Sequence, residues 1–401
     1  MAPAGAELTA AFLRHVCQTS PEPLGIVVAR ARGTTIWDSE GREYLDLLAG
    51  MGVANVGHAH PAVCAAIAEQ VGAYLHVAVY GEMVQEPQVA LTRRLAEVTP
   101  GELSVVYLTN SGTEAVEGAL KTARKYTGRP RIVSFEGAFH GDTFGALSVG
   151  GNPVYQRPFA PLLPDVDVLP FDDPSALARI DAATAAVIVE PIQGEGGVRI
   201  PGATFLPQLR RRCTDVGALL IADEVITGFG RTGTLFACAQ WGVTPDILVV
   251  AKALGGGLPL GAFIGRPEVM RTLAHDPPLA HVTTFGGHPV CCAAGLAALD
   301  VLVHERLPER AARVGADWLT ELRSLSAGRP CTVRGRGLLM ALEFATPEAT
   351  RRFVAHCFER GLILNWTLHR DTVVRLAPPL TITAEEIRQT NAVFAEALAL
   401  V

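Results

Sequence analysis

Between residues 105 and 265, short runs of apolar β-formers alternate with longer stretches whose apolar residues recur at helical spacing. The runs fall at 105–108, 131–135, 186–189, 219–222, 247–251 and 262–265. Runs of this kind lack the polar alternation of a half-exposed strand, which predicts a parallel sheet covered by helices. Upstream, residues 33–47 alternate apolar and polar positions around Ser39-Glu40-Gly41, the pattern of a small hairpin. A helical pattern through Val63, Ile67 and Val71 then follows Gly57-His58-Ala59-His60-Pro61. From His288 onward long helical stretches dominate, broken by short strands near 334–344 and 373–376. The pattern divides the chain into a large domain at 53–287 and a smaller α+β domain at 288–401, to which the N-terminal segment 1–52 contributes. No internal repeat or low-complexity tract interrupts it.

Composition narrows the class of partner. At 401 residues, with 49% hydrophobic and 18% charged residues, the chain has ample material for a core and exceeds one typical domain. A net charge of −6 and a pI near 6.0 offer no basic face for nucleic acid. No apolar run reaches the length of a membrane span, and the first nineteen residues lack the basic start and apolar core of a signal peptide. The eight cysteines form no C-x-x-C pair, which suits a reducing cytoplasm and a small-molecule substrate.

Candidate chemistry gathers at the ends of the apolar runs. The run Ile247, Leu248, Val249 and Val250 delivers Lys252 into Gly255, Gly256 and Gly257. A lysine there snorkels, pairs with an acid, or serves as an amine of lowered pKa, and the glycines let backbone approach a bulky ligand. An ordinary strand-end lysine beside a turn reads from the same residues. Asp223-Glu224 ends the run at 219–222, one strand-helix unit before Lys252, so both can face one crevice. Thr109-Asn110-Ser111-Gly112-Thr113-Glu114 follows a strand and opens a helix carrying Val116, Leu120 and Ala123, which makes either an anion site for one phosphate or a simple Ser/Thr cap. It is neither a Walker loop nor a dinucleotide fingerprint. Phe139-His140-Gly141 places an aromatic on the loop after the run at 131–135, able to stack on a planar ring. His58 and His60 lack a third ligand at metal spacing and read as structural.

Together these residues resemble the fold-type I pyridoxal-phosphate enzymes, and specifically the class III aminotransferases, whose members include acetylornithine, ornithine and 4-aminobutyrate aminotransferases. The motifs are NSGTEA at 110–115, AFHG at 138–141, EPIQGEGG at 190–197, ADEVITGFGRTG at 222–233, AKALGGGLPLG at 251–261, TTFGGHP at 283–289 and VVRLAPPL at 373–380. The resemblance implies an α/β fold with a mainly parallel seven-stranded sheet in the large domain, pyridoxal 5'-phosphate as cofactor, and a homodimer with active sites at the subunit interface. By the same resemblance Lys252 carries the cofactor as a Schiff base and Asp223 bonds the pyridine nitrogen, with Glu190 as the third catalytic residue. Phe139 and Val225 sandwich the ring, His140 stands beside it, and Ser111, Gly112 and Thr113 hold the phosphate, with Thr284 reaching it from the partner subunit. Glu195 and Arg375 match a switch pair in which the arginine is masked by the glutamate or turns to a substrate carboxylate.

The activity implied is ping-pong transfer of an amino group from an ω-amino acid or other primary amine to an α-keto acid such as 2-oxoglutarate or pyruvate. Two positions depart from the pattern. Asp142 stands where acetylornithine and ornithine aminotransferases carry an arginine that clamps a substrate carboxylate, and Ile226 replaces a glutamine, a choice associated with ω-transaminases. Asp142 either faces the substrate or caps the helix after Gly141. An aminomutase or epimerase on the same scaffold is the alternative chemistry.

Overall fold

The computed structural model describes residues 5–401. Its central sheet comprises β1 (Val105–Thr109), β2 (Arg131–Phe135), β3 (Val166–Leu169), β4 (Thr184–Val189), β5 (Leu219–Asp223), β6 (Ile247–Val250) and β7 (Gly261–Gly265), in the order β1-β7-β6-β5-β4-β2-β3. Strands β3, β2, β4, β5 and β6 are mutually parallel, while β7 pairs antiparallel with both β6 and β1. The four strands from β4 to β7 are buried along their whole length, which is why they read as unbroken apolar runs.

Two features depart from the sequence reading. Strand β3 was not marked by an apolar run, because Val166-Asp167-Val168-Leu169 is an edge strand of mixed character whose Asp167 pairs with Arg179. The run at 262–265 is the antiparallel member of the sheet. Only ten residues separate β6 from β7, too few for the helical crossover that a parallel return needs.

The helix Gly112–Thr127 packs Ala115, Val116, Ala119, Leu120 and Ala123 onto the sheet and ends in a left-handed Gly128. Each larger side chain so buried contributes roughly 1.5–3 kcal/mol. Gly118 lies against the ring of Phe263, where an added Cβ would come within 2.2 Å.

Two four-stranded sheets flank this body. In the first, Val28–Arg32, Thr35–Asp38 and Glu43–Asp46 form an antiparallel meander that includes the hairpin around Gly41, and Leu362–Ile363 adds in parallel to Glu43–Asp46. The second is antiparallel, in the order Cys331–Arg336, Leu339–Phe344, Arg370–Leu376, Asn365–Thr367. The helix Pro289–His304 packs on Pro61–Ala73 and Glu86–Val98. Among the described residues no helix is long and apolar enough to cross a membrane.

Candidate active site

The C-terminal ends of β1, β2, β4, β5 and β6 converge on a cavity of about 380 Å³, which is where a parallel α/β sheet presents its functional loops. The cavity is lined by Ser111, Gly112 and Thr113 after β1, by Phe139 and His140 after β2, and by Glu190 after β4. Asp223 and Val225 enter from β5 and Lys252 from β6. Residues more than a hundred positions apart in the chain thus meet around one space.

Lys252 opens the short 3-10 turn Lys252–Gly255 with φ of 51°. Left-handed backbone costs a lysine roughly 1–2 kcal/mol and persists only where its surroundings enforce it. Burial, and then the charge of Arg375, push its ammonium below the ordinary lysine value, against the pull of Glu195, Asp223 and Glu190. The side chain is therefore partly prepared to act as a neutral amine.

Asp223 is the last residue of β5 and is buried. Its Oδ1 accepts the Val225 N–H at 3.0 Å, and its Oδ2 lies 2.7 Å from His140 Nδ1. His140 is buried too, and its Nε2 has no partner. Glu224 points the other way, as the alternation of a strand demands. Fully buried, it accepts the N–H groups of Ala237 (2.6 Å) and Cys238 (2.8 Å), so the two adjacent acids divide into one facing the cavity and one holding a turn.

Glu190 accepts the Phe139 N–H at 3.0 Å and the Gly194 N–H at 2.9 Å. Burial raises its carboxyl to about 7, with His140 opposing and Asp223 adding to the rise. It ties the β2 loop to the β4 loop beside the Asp223–His140 pair.

Ser111 caps the helix Gly112–Thr127 through Glu114 N at 3.3 Å. The N–H groups of Gly112 and Thr113 lie in the first turn, where no intrahelical acceptor exists. The hydroxyl of Thr113 is engaged at 2.7 Å by Thr143, leaving its backbone group for a ligand. A Cβ on Gly112 would stand 3.1 Å from both methyls of Val225, so glycine there lets the chain come close to the cavity wall.

Arg375, fully buried, forms an ion pair with Glu195. Burial alone would raise the Glu195 carboxyl, but the charge and hydrogen bond of Arg375 and the Leu368 N–H hold it below the ordinary value. Arg375 Nε has no partner, and Nη2 rests 3.7 Å from Met51 Sδ. The wall beside them is apolar: Ile226 is buried and lines the cavity.

Two proposed site residues stand outside this group. Asp142 is exposed and borders a small neighbouring recess with Tyr155 and His369, because Gly141, at φ of 121°, turns the chain away from the cavity. Nor does Asp142 cap the following helix, whose Gly145 and Ala146 N–H groups are taken by Glu117 at 2.8 and 3.1 Å. Thr284 is exposed and does not line the cavity of its own chain.

One segment escaped the sequence reading altogether. Ala49, Gly50, Met51 and Gly52 have φ of 50°, 59°, 69° and 80°, one turn of left-handed chain that carries Met51 to Arg375 and Val53 to the cavity. The spaced glycines of AGMG were the available signal.

A phosphate-bearing pyridine aldehyde fits these residues. Free helix N–H groups and a missing Cβ suit the phosphate, a buried carboxylate suits a pyridinium, and a lysine of lowered basicity suits the aldehyde. Fold and site together define a pyridoxal-phosphate enzyme of fold type I. The chain belongs to the class III aminotransferase family, which it matches over residues 16–398. It is 45% identical to a putrescine aminotransferase of Pectobacterium atrosepticum, across 90% of this chain and 80% of that one. It is also 45% identical to an acetylornithine aminotransferase of Methanopyrus kandleri, across 93% of this chain and 94% of that one. An ornithine aminotransferase structure from Toxoplasma gondii, with partial pyridoxal phosphate at its active site, superposes with a TM-score of 0.93 at 34% identity, covering 99% of this chain and 95% of that one. The protein is a transaminase with pyridoxal 5'-phosphate as its cofactor.

Proposed function

We propose that this transaminase takes its amino group from a primary amine without a distal carboxylate, such as a diamine, and passes it to an α-keto acid with a single carboxylate, such as pyruvate. The observation that carries this reading is the Glu195–Arg375 pair in a cavity whose wall has Ile226 and whose neighbouring loop has Asp142 turned outward. One guanidinium serves a keto acid, while the remaining wall offers a second carboxylate no arginine. The name of the Pectobacterium relative, a putrescine aminotransferase, agrees with a diamine donor.

Pyridoxal phosphate, when bound, supplies a carbonyl that condenses with amines and a ring that accepts the electron pair left on the substrate carbon. The chain's part is to bind, orient and move protons. Ser111 and the N–H groups of Gly112 and Thr113 would hold the phosphate, and Phe139 and Val225 would enclose the ring. Asp223, backed by His140, would keep a proton on the ring nitrogen. Lys252 would supply the amine to which the aldehyde binds and would carry a proton at Nζ. Glu190 braces the Asp223–His140 pair. Arg375 forks onto the keto-acid carboxylate when Glu195 swings aside, and is masked by it when the amine enters.

We place the enzyme in the cytoplasm as a homodimer, with Thr284 completing the neighbour's phosphate site. We likewise divide each subunit into a large domain at 53–287 and a small one formed by 1–52 and 288–401. The parallel pairing of Leu362–Ile363 with Glu43–Asp46 supports joining the two ends.

A panel of amines and ω-amino acids, scored by the absorbance change of the cofactor, tests the donor. Diamines should react and acetylornithine should react poorly. Efficient acetylornithine turnover would show that another cation receives its carboxylate. Arg375→Ala should impair the keto-acid half-reaction at least tenfold more than the amine half-reaction, since a charge-assisted bond contributes about 1.5–3 kcal/mol. Equal losses would remove the switch.

A further inference from the structure

In the segment Gly57-His58-Ala59-His60-Pro61 the first histidine reaches toward the active site through a single acid. His58 Nε2 lies 2.7 Å from Oδ2 of Asp46, which is buried. The same carboxylate accepts the Leu48 N–H at 2.8 Å and the Gly50 N–H at 3.1 Å. These are the backbone groups that flank and enter the left-handed turn at 49–52, two of whose residues, Ala49 and Met51, are not glycine.

The turn closes backbone bonds of its own, Gly52 N–H to Leu48 O at 2.7 Å and Val53 N–H to Ala49 O at 2.8 Å, but each L-residue in it still crowds its own Cβ against backbone. It persists where outside groups over-determine it, and strain of this kind gathers at functional sites. Here the outside group is Asp46. Its own backbone is set by the sheet, where it pairs with Ile363. His58 is set just as firmly, through reciprocal backbone bonds with Gly33 of 2.9 and 2.8 Å. The turn they support ends at Val53 in the cavity and carries Met51 Sδ to within 3.7 Å of Arg375 Nη2.

We infer that Asp46 and His58 are positioning residues for Arg375: they hold the left-handed turn whose Met51 packs the guanidinium in the place where it meets a keto-acid carboxylate. The inference rests on the reading of Arg375 given above. The thioether packs against the guanidinium on the side of Nη2, while Glu195 binds Nη1. When Glu195 leaves, the turn is what keeps the arginine from following it. A loosened turn therefore costs carboxylate binding and leaves Lys252, Asp223 and the phosphate cradle as they were.

The test uses holoenzyme carrying Asp46→Asn, His58→Ala or His58→Gln, with Arg375→Ala as reference, and follows each half-reaction by cofactor absorbance. Asparagine presents an N–H group where one of the two backbone donors needs an acceptor. Alanine removes the support behind Asp46, and glutamine can restore it through its amide N–H. Asp46→Asn and His58→Ala should raise KM for pyruvate at least tenfold with kcat within threefold. The half-reaction with the best carboxylate-free amine of the donor panel should stay within twofold. His58→Gln should recover most of the lost affinity. An unchanged KM, an equal loss in both half-reactions or a failure of glutamine to rescue would overturn the inference. If Arg375→Ala is itself unselective, the switch reading has failed; if it is selective and the other variants are not, the positioning role has failed. Should Asp46→Asn not fold, the two His58 variants decide, since that ring is partly open to solvent and its truncation leaves the strand intact.

Discussion

Lys252 is the residue on which the transamination reading depends most directly. Replacing it with alanine should abolish the lysine adduct that borohydride traps and slow turnover by several orders of magnitude, and an adduct at a different lysine would displace the assignment. Glu190 yields a test of another kind, because its carboxyl is raised from 4.5 to about 7. In the unfolded chain it ionises near the lower value, so between the two the folded state binds more protons than the unfolded state. Its contribution to stability is therefore fully present below pH 4.5 and is lost as pH rises through 7, a change on the order of 3 kcal/mol. In the cofactor-free protein, denaturant midpoints measured from pH 5 to 8 should fall with pH more steeply for the wild type than for Glu190→Gln. Parallel slopes would mean that the carboxyl is not buried in its neutral form. Glutamine turns an N–H toward one of the two backbone donors, so the slope and not the absolute level carries the information.

Among the elements, the helix Gly112–Thr127 matters most, since its first turn bears the N–H groups proposed for the phosphate and its body must lie close on the sheet. Gly118 makes that approach possible against Phe263. Gly118→Ala should cost about 1–3 kcal/mol by overpacking, and Phe263→Leu in the same chain should return part of it. Chemical denaturation of the four proteins of this cycle measures the coupling, and strict additivity would show that the two side chains do not share the space. Strand chemistry explains a second assignment at this scale. Asp223 and Glu224 are neighbours in sequence and opposite in role, one directed to the cavity and the other to the turn at Ala237 and Cys238, because successive strand residues alternate between faces. The apolar run at 219–222 ends in two acids, Asp223 and Glu224. Which acid would face the cavity depended on how β5 sits between β4 and β6.

At the scale of the whole molecule, Thr284 is exposed beside Phe285, Val282 and Leu279, all exposed as well, which is where the proposed homodimer would need a second copy. Sedimentation at micromolar concentration should give a dimer, and Thr284→Ala should weaken cofactor binding roughly tenfold or more, the worth of one hydrogen bond to a charged group. A fully active monomer would exclude the arrangement. The sheet, its α/β class and the strand ends that bear Lys252, Asp223 and the Ser111 cap were readable from one dimension, because fully buried strands need apolar runs and a tight turn needs its glycines. Strand β3 was not, since an edge strand need not be apolar, and neither was the direction of β7, which the short connection after β6 imposes. Asp142 and the turn at 49–52 mark the same limit around the site. Residue type and spacing say what a side chain can do, but the φ of Gly141 decides that Asp142 turns outward, and the hold of Asp46 on backbone N–H groups decides that Met51 turns toward Arg375. The sequence by itself determined the chemistry available and the strands that bear it, whereas the meeting of Glu195 with Arg375, 180 positions apart, was decided only when separate sheets packed together, because direction and distance between remote elements are properties of packing and not of any local pattern.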